Sequence, residues 1–161
     1  MDVIGDNMRK VYFFESQIPM SGVVYLPLVS GILQAYAQTF PVINDSYEFM
    51  PFIFVRDTPE NMIKDVKDPF IMAFSVCIWN HQLSLAVAKL VKQRWPNCII
   101  VFGGPQITES DKPYCDYIIK EEGEKKFVTL LRDFIGEDVA LGFENHNLEN
   151  YPSPYTEGLY I

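Results

Sequence analysis

Residues 68–105 read DPFIMAFSVCIWNHQLSLAVAKLVKQRWPNCIIVFGGP, and this stretch decides the fold. Phe70 to Val76 are apolar apart from Ser75, a run short enough for a strand and too unbroken to be half exposed, which predicts a buried strand of a parallel sheet. Beyond it Leu83, Ala86, Val87, Leu90 and Val91 recur at helical spacing on one apolar face, with Asn80 placed to cap the helix. Pro96 disfavours helical geometry just before it, so the helix ends at Trp95. Cys98 to Phe102 then form a second apolar strand that runs into Gly103, Gly104 and Pro105. Strand, helix, strand within this length is a βαβ unit.

The same alternation extends outward. Lys10 to Glu15 reads as the first strand, followed by a long loop, Ser16 to Tyr25, and a helix over Leu26 to Phe40 with Pro27 in its first turn. Tyr47 to Val55 is the second strand, and Asp57, Thr58 and Pro59 open a short helix through Met62, Ile63 and Val66. Tyr114 to Lys120 reads as the fifth strand. Gly123 introduces a helix through Phe127, Leu130, Leu131 and Phe134, with Glu121, Glu122 and Glu124 at its positive end, and Gly136 stops it. Val139 to Phe143 reads as a short extra edge strand. The polar, proline-bearing residues from Glu144 onward predict an arm that builds no core.

Five strands separated by helices imply an α/β, Rossmann-like or flavodoxin-like doubly wound sheet of five parallel strands in the order 2-1-3-4-5, with flanking helices. The domain is expected over residues 1–143 and a connector over 144–161. Such sheets hold ligands outside the carboxyl ends of their strands. The candidate rim is therefore Ser16 to Gly22, Ser75 to Asn80, Gly103 to Gln106 and Glu121 to Glu124.

Composition narrows the partners. With 161 residues, a net charge of -8 and no basic cluster, the chain is poorly suited to nucleic acid or an anionic membrane. No apolar run reaches the roughly 18 residues of a membrane span. The N-terminus lacks the apolar stretch of a secretion signal, so a cytoplasmic protein is expected. Cys77, Cys98 and Cys115 are odd in number and 21 and 17 residues apart, which fits neither a disulfide pair nor a close-spaced metal site. There is no Ser-His-Asp arrangement, phosphate loop or dinucleotide fingerprint. Taken singly, Gly103 and Gly104 read equally as a tight turn, Trp79 as core, and the glutamates as a solvated helix start.

Taken together, three strings form a pattern. Phe74-Ser75-Val76-Cys77-Ile78-Trp79-Asn80, Val101-Phe102-Gly103-Gly104-Pro105, and Asp116-Tyr117-Ile118-Ile119 leading to Glu122-Gly123-Glu124 and Phe127 closely resemble the N-terminal cobalamin-binding domain of B12-dependent radical SAM enzymes. Tyr151-Pro152-Ser153-Pro154-Tyr155 resembles the family's connector to the radical SAM barrel. The family's CxxxCxxC motif for a [4Fe-4S] cluster is missing, so the chain is expected to be a cofactor-binding piece of a longer enzyme, inert in radical chemistry alone.

The resemblance implies cobalamin held base-off, its dimethylbenzimidazole tail pulled off cobalt and threaded into the sheet edge near Gly103 and Gly104. Methionine-synthase-like domains place a D-x-H-x-x-G histidine under cobalt; around His81 that motif would need Asp and Gly where this sequence has Trp79 and Ser84. No metal ligand and no catalytic residue are expected. The resemblance assigns Ser75 and Asn80 as hydrogen-bond partners below the corrin, Trp79 as an apolar wall, and Glu122 and Glu124 as acceptors for corrin amides or the ribose. Ser16, Val76, Cys77, Ile78, Pro105, Gln106 and Gly123 complete the implied cofactor-binding set. In the intact protein the resemblance further implies a barrel in cis, a [4Fe-4S] cluster, S-adenosylmethionine and methyl transfer. A flavodoxin-like or receiver-like module, and a degenerate interaction domain with an empty pocket, are the alternatives.

Overall fold

The computed structural model describes residues 8–143 and 152–160. In chain order the elements are β1 (Arg9–Gln17), α1 (Leu28–Ala37), α2 (Pro41–Ser46), β2 (Tyr47–Phe49), β3 (Ile53–Val55), α3 (Pro59–Met62), β4 (Pro69–Ser75), α4 (His81–Arg94), β5 (Ile99–Gly103), β6 (Tyr117–Ile119) and α5 (Glu124–Ile135). The strands form one sheet in the order β2-β1-β4-β5-β6, with β3 also on β1, and every pairing is parallel. This is the expected doubly wound order, with one strand split in two.

The split has a local cause. Tyr47 to Val55 was expected as a single strand, but Pro51 has no N–H to give a ladder, so the segment pairs with β1 first as β2 and, after a register shift, as β3. Two further expectations are corrected. Residues 139–143 form no strand among the described residues, and Tyr114 belongs to a 3-10 turn, Glu109–Tyr114, instead of β6. That turn is opened by Thr108, whose hydroxyl and amide exchange hydrogen bonds with Asp111 in a capping box. The first helix is also shorter than Leu26 to Phe40, with Pro27 just outside it and a separate α2 beginning at Pro41.

Alternation along the strands supplies both faces of the sheet. Phe14, Met72, Phe74, Ile100 and Phe102 point to one face and are covered by α3 and α4 through Ile63, Val87 and Val91. Val11, Phe13, Ile71, Ala73 and Val101 point to the other, under α1, α2 and α5 through Tyr36, Phe40, Phe127 and Leu131. β4 is central and buried on both faces, which is why its sequence reads as an unbroken apolar run. The short segment 152–160 also docks: the Tyr160 hydroxyl donates to the Pro27 carbonyl at 2.8 Å, and its ring lies 5.8 Å from that of Phe52.

Candidate functional site

The carboxyl ends of β4 and β5 are joined by their backbones before any side chain contributes. The Val76 amide donates to the Gly103 carbonyl at 2.7 Å, and the Gln106 amide to the Val76 carbonyl at 3.3 Å. Gly104 adopts φ +111°, and a Cβ there would lie 2.8 Å from the Val76 nitrogen, so only glycine fits. Gly103 is different. A Cβ at Gly103 would meet only the Ile119 carbonyl, at an ordinary 3.6 Å, so the fold itself leaves room at this position.

Asn80 ties β1 to β4. Its Oδ1 accepts the Cys77 amide at 2.8 Å and the Ser84 hydroxyl at 3.3 Å, while its Nδ2 donates to the carbonyls of Ser16 and Ser75. The residue stands at the start of α4 but makes no side-chain cap bond. Its four hydrogen bonds exhaust what an amide side chain can offer, so its place is structural: it fixes the β4–α4 loop. The indole of Trp79 donates to the same Ser16 carbonyl at 3.2 Å, yet Trp79 remains 43% exposed and Ile78 75% exposed. The Ser16 hydroxyl itself is buried and has no partner among the described residues.

Beside these loops a cavity of about 480 Å³ opens between α1, α5 and the sheet. Phe13, Ala73, Val101 and Phe127 form its inner wall, Leu33 and Ile119 its sides. Of the residues expected from sequence, Ser75, Cys77, Gly103, Gly104, Pro105, Glu122, Gly123 and Glu124 line it. Ser16, Val76, Ile78, Trp79, Asn80 and Gln106 lie at the same end of the sheet but outside the cavity lining. Phe13 and Leu33 were legible only as core, whereas Phe127 belonged to the recognised pattern. Glu121, expected on the rim and held at φ +65°, also lines the cavity, as does Ser30, which was not expected there.

Glu15 is the other residue that the sequence left unmarked. It is buried, and its carboxylate accepts the Ser30 amide and hydroxyl, each at 2.8 Å, and the Val29 amide at 3.4 Å. Burial raises its pKa above the ordinary carboxylate value against the pull of those bonds. The positive end of α1, where a Rossmann sheet would offer amides to a phosphate, is thus filled by the chain's own acid.

Metal-ligating groups are poorly placed for use. Burial raises the thiol pKa of Cys77, with Glu15 adding to it, and pushes Cys98 up to about 12 and Cys115 up to about 11. His81 Nε2 is 2.9 Å from Asp111 Oδ1, outside the cavity lining. No group of three or more His, Cys, Asp or Glu among the described residues is arranged to hold a metal ion.

No protein-family model matches the chain. Over 129 residues, however, it is 36% identical to a 2-(S-pantetheinyl)-carbapenam-3-carboxylate methyltransferase of Streptantibioticus cattleyicolor. It is 35% identical, over the same length, to the cobalamin-dependent radical SAM methyltransferase TokK of Streptomyces tokunonensis. The chain is homologous to one part of the cobalamin-dependent radical SAM methyltransferases. The matches take in 76% of this chain and 18% of each relative, so the chain spans about a fifth of their length. The cobalamin-dependent S-adenosylmethionine radical enzyme OxsB superposes with a TM-score of 0.63 at 20% identity, over 92% of this chain and 20% of that one. A cobalamin-binding protein of Desulfitobacterium hafniense superposes with a TM-score of 0.58 at 12% identity, over 80% and 59%. These structures share the Rossmann-like fold.

Proposed function

We propose that this chain is the cobalamin-holding domain of a radical SAM enzyme, a methyltransferase by its relatives. The observation that carries the reading is the apolar cavity at the open face of Gly103, between α1 and α5. Its size falls within the roughly 300–1,000 Å³ of small-molecule sites. An aromatic base with no charge suits walls made of Phe13, Ala73, Val101 and Phe127, and the position vacated by a side chain at Gly103 gives it passage.

The remaining residues take distinct roles. Ile78 and Trp79, exposed on a loop that Asn80 and Ser16 hold in place, provide an apolar bed for the lower face of the corrin. Ser75 supplies a hydroxyl at the junction of that bed and the cavity, and Cys77 its uncharged thiol. Glu122 and Glu124, at the mouth, accept hydrogen bonds from corrin amides or the ribose. Asn80 acts through the loop and makes no contact of its own. In this reading the cofactor sits base-off with no protein side chain on cobalt, which agrees with the place of His81 outside the cavity lining, paired with Asp111.

Bound cobalamin supplies a cobalt centre that carries an alkyl group, and the protein's part is to bind, orient and shield it. The full-length protein, in this reading, adds a radical SAM barrel in cis, a [4Fe-4S] cluster and S-adenosylmethionine, and residues 144–161 lead toward that barrel. No helix among the described residues is long and apolar enough to cross a membrane. The net charge of -8 speaks against a nucleic-acid partner. The flavin alternative lacks the free amides that a flavin phosphate would need at the start of α1, where Glu15 accepts the Val29 and Ser30 amides.

The reading is tested by mixing the protein with hydroxocobalamin and removing free cofactor by gel filtration. Retention by the native chain together with loss in Gly103→Leu, which fills the passage, is expected. Failure of the native chain to retain any corrin, while it retains a flavin, would overturn the assignment.

A further inference from the structure

Resting on the cobalamin assignment, we infer that the cavity selects the lower base of the corrinoid: it accepts a nucleotide ending in dimethylbenzimidazole and discriminates against one ending in adenine. Phe13, Ala73, Val101 and Phe127 are buried and carry no polar side-chain atom. The backbone behind them is spent, since Ala73 pairs with Val101 across β4 and β5, and Val101 with Tyr117 across β5 and β6.

Polar side chains lie at the edges of this space. The Ser30 hydroxyl donates to Glu15 and has no proton left to give. Ser75 and Cys77 stand together where the β4–α4 loop begins, enough to serve one ring nitrogen. Glu121 and Glu122 are exposed and Glu124 is half-buried at the mouth, where a ribose passes and a base does not stop.

The two bases make different demands on such walls. Dimethylbenzimidazole released from cobalt has one free ring nitrogen, and two methyl groups that gain from leaving water. Adenine brings an exocyclic amine and additional ring nitrogens, more polar atoms than Ser75, Cys77 and the Ile119 carbonyl beside Gly103 can serve, so part of its polar edge would be buried without a partner. An apolar pocket rejects added polar groups only moderately, by about a hundredfold at most where nothing repels them actively. A ratio of about ten- to a hundredfold in affinity is therefore expected.

The experiment measures binding of cobalamin, pseudocobalamin (adenine as the lower base) and cobinamide (no nucleotide) to the 161-residue protein, by quenching of tryptophan fluorescence. The inference predicts cobalamin at least about tenfold tighter than pseudocobalamin, with cobinamide also weaker than cobalamin. Equal affinities for cobalamin and pseudocobalamin would overturn the selectivity while leaving the corrinoid assignment intact. Cobinamide binding as tightly as cobalamin would show that the cavity does not take the base at all, again overturning the inference alone. Binding of none of the three would remove the cobalamin assignment and the inference together.

Discussion

The backbone of Gly104 lies so close to that of Val76 that a Cβ on Gly104 would sit 2.8 Å from the Val76 nitrogen, while its sequence neighbour Gly103 has open space. The two glycines therefore separate stability from binding. Gly104→Ala combines a backbone at φ +111° with a steric clash and should lower stability by about 2–4 kcal/mol in urea denaturation. Gly103→Ala should stay within about 1 kcal/mol of the native chain. Equal losses at the two positions would contradict the distinction.

Asn80 offers a second separation, between holding a loop and touching a ligand. Asn80→Ala removes four hydrogen bonds and leaves the half-buried Cys77 amide and the buried Ser16 carbonyl without this partner, so apo stability should fall by about 2–4 kcal/mol. A variant with native denaturation midpoint and weakened corrin binding would place Asn80 on the ligand instead.

How far the sequence discloses this site follows from what each residue was doing. The parallel sheet was legible because β4 is buried on both faces and its apolar run cannot be read otherwise. The split of the second strand was not, since only the pairing of both pieces with β1 shows that Pro51 interrupts one strand and does not end it. Ser75, Gly103 and Glu122 were legible from their place after strands. Phe13 and Leu33 were not, because a residue lining an apolar cavity has the same helical or strand spacing as one in the core; Phe127 was singled out only through the recognised pattern. Asn80 was found for a different reason from the one that holds: the cap position is right, but its side chain bonds the loop behind it.

Glu15 gives the protein a definite pH dependence. Burial raises its folded-state pKa above the ordinary 4.5, so between those two values the folded state holds a proton that the unfolded state has released. Stability contributed by this group is therefore greatest below pH 4.5 and falls as pH rises through the folded pKa. Glu15→Gln keeps an oxygen for Ser30 and removes the titration. The stability difference, variant minus native, should rise across that window when midpoints are compared at successive pH values; a flat difference would refute it.

Gly31 is a notch for the C-terminal segment: a Cβ there would lie 2.8 Å from the Pro154 Cβ and also collide with the Tyr160 ring. Gly31→Ala should release residues 152–160 while improving helix propensity in α1 by up to about 1 kcal/mol. Hydrogen exchange is the measurement, with faster exchange at Glu157 and Leu159, whose amides are bonded within that segment, as the expected result. Unchanged exchange there would contradict it.

The central claim is that cobalamin is held with its base in the cavity and no protein nitrogen on cobalt, and electron paramagnetic resonance of the cob(II)alamin-loaded protein tests it most directly. Base-off binding without a protein ligand predicts cobalt hyperfine structure with no nitrogen superhyperfine splitting, unchanged in His81→Ala. A nitrogen splitting in the native protein would contradict it, and its loss in His81→Ala would identify that histidine as the ligand.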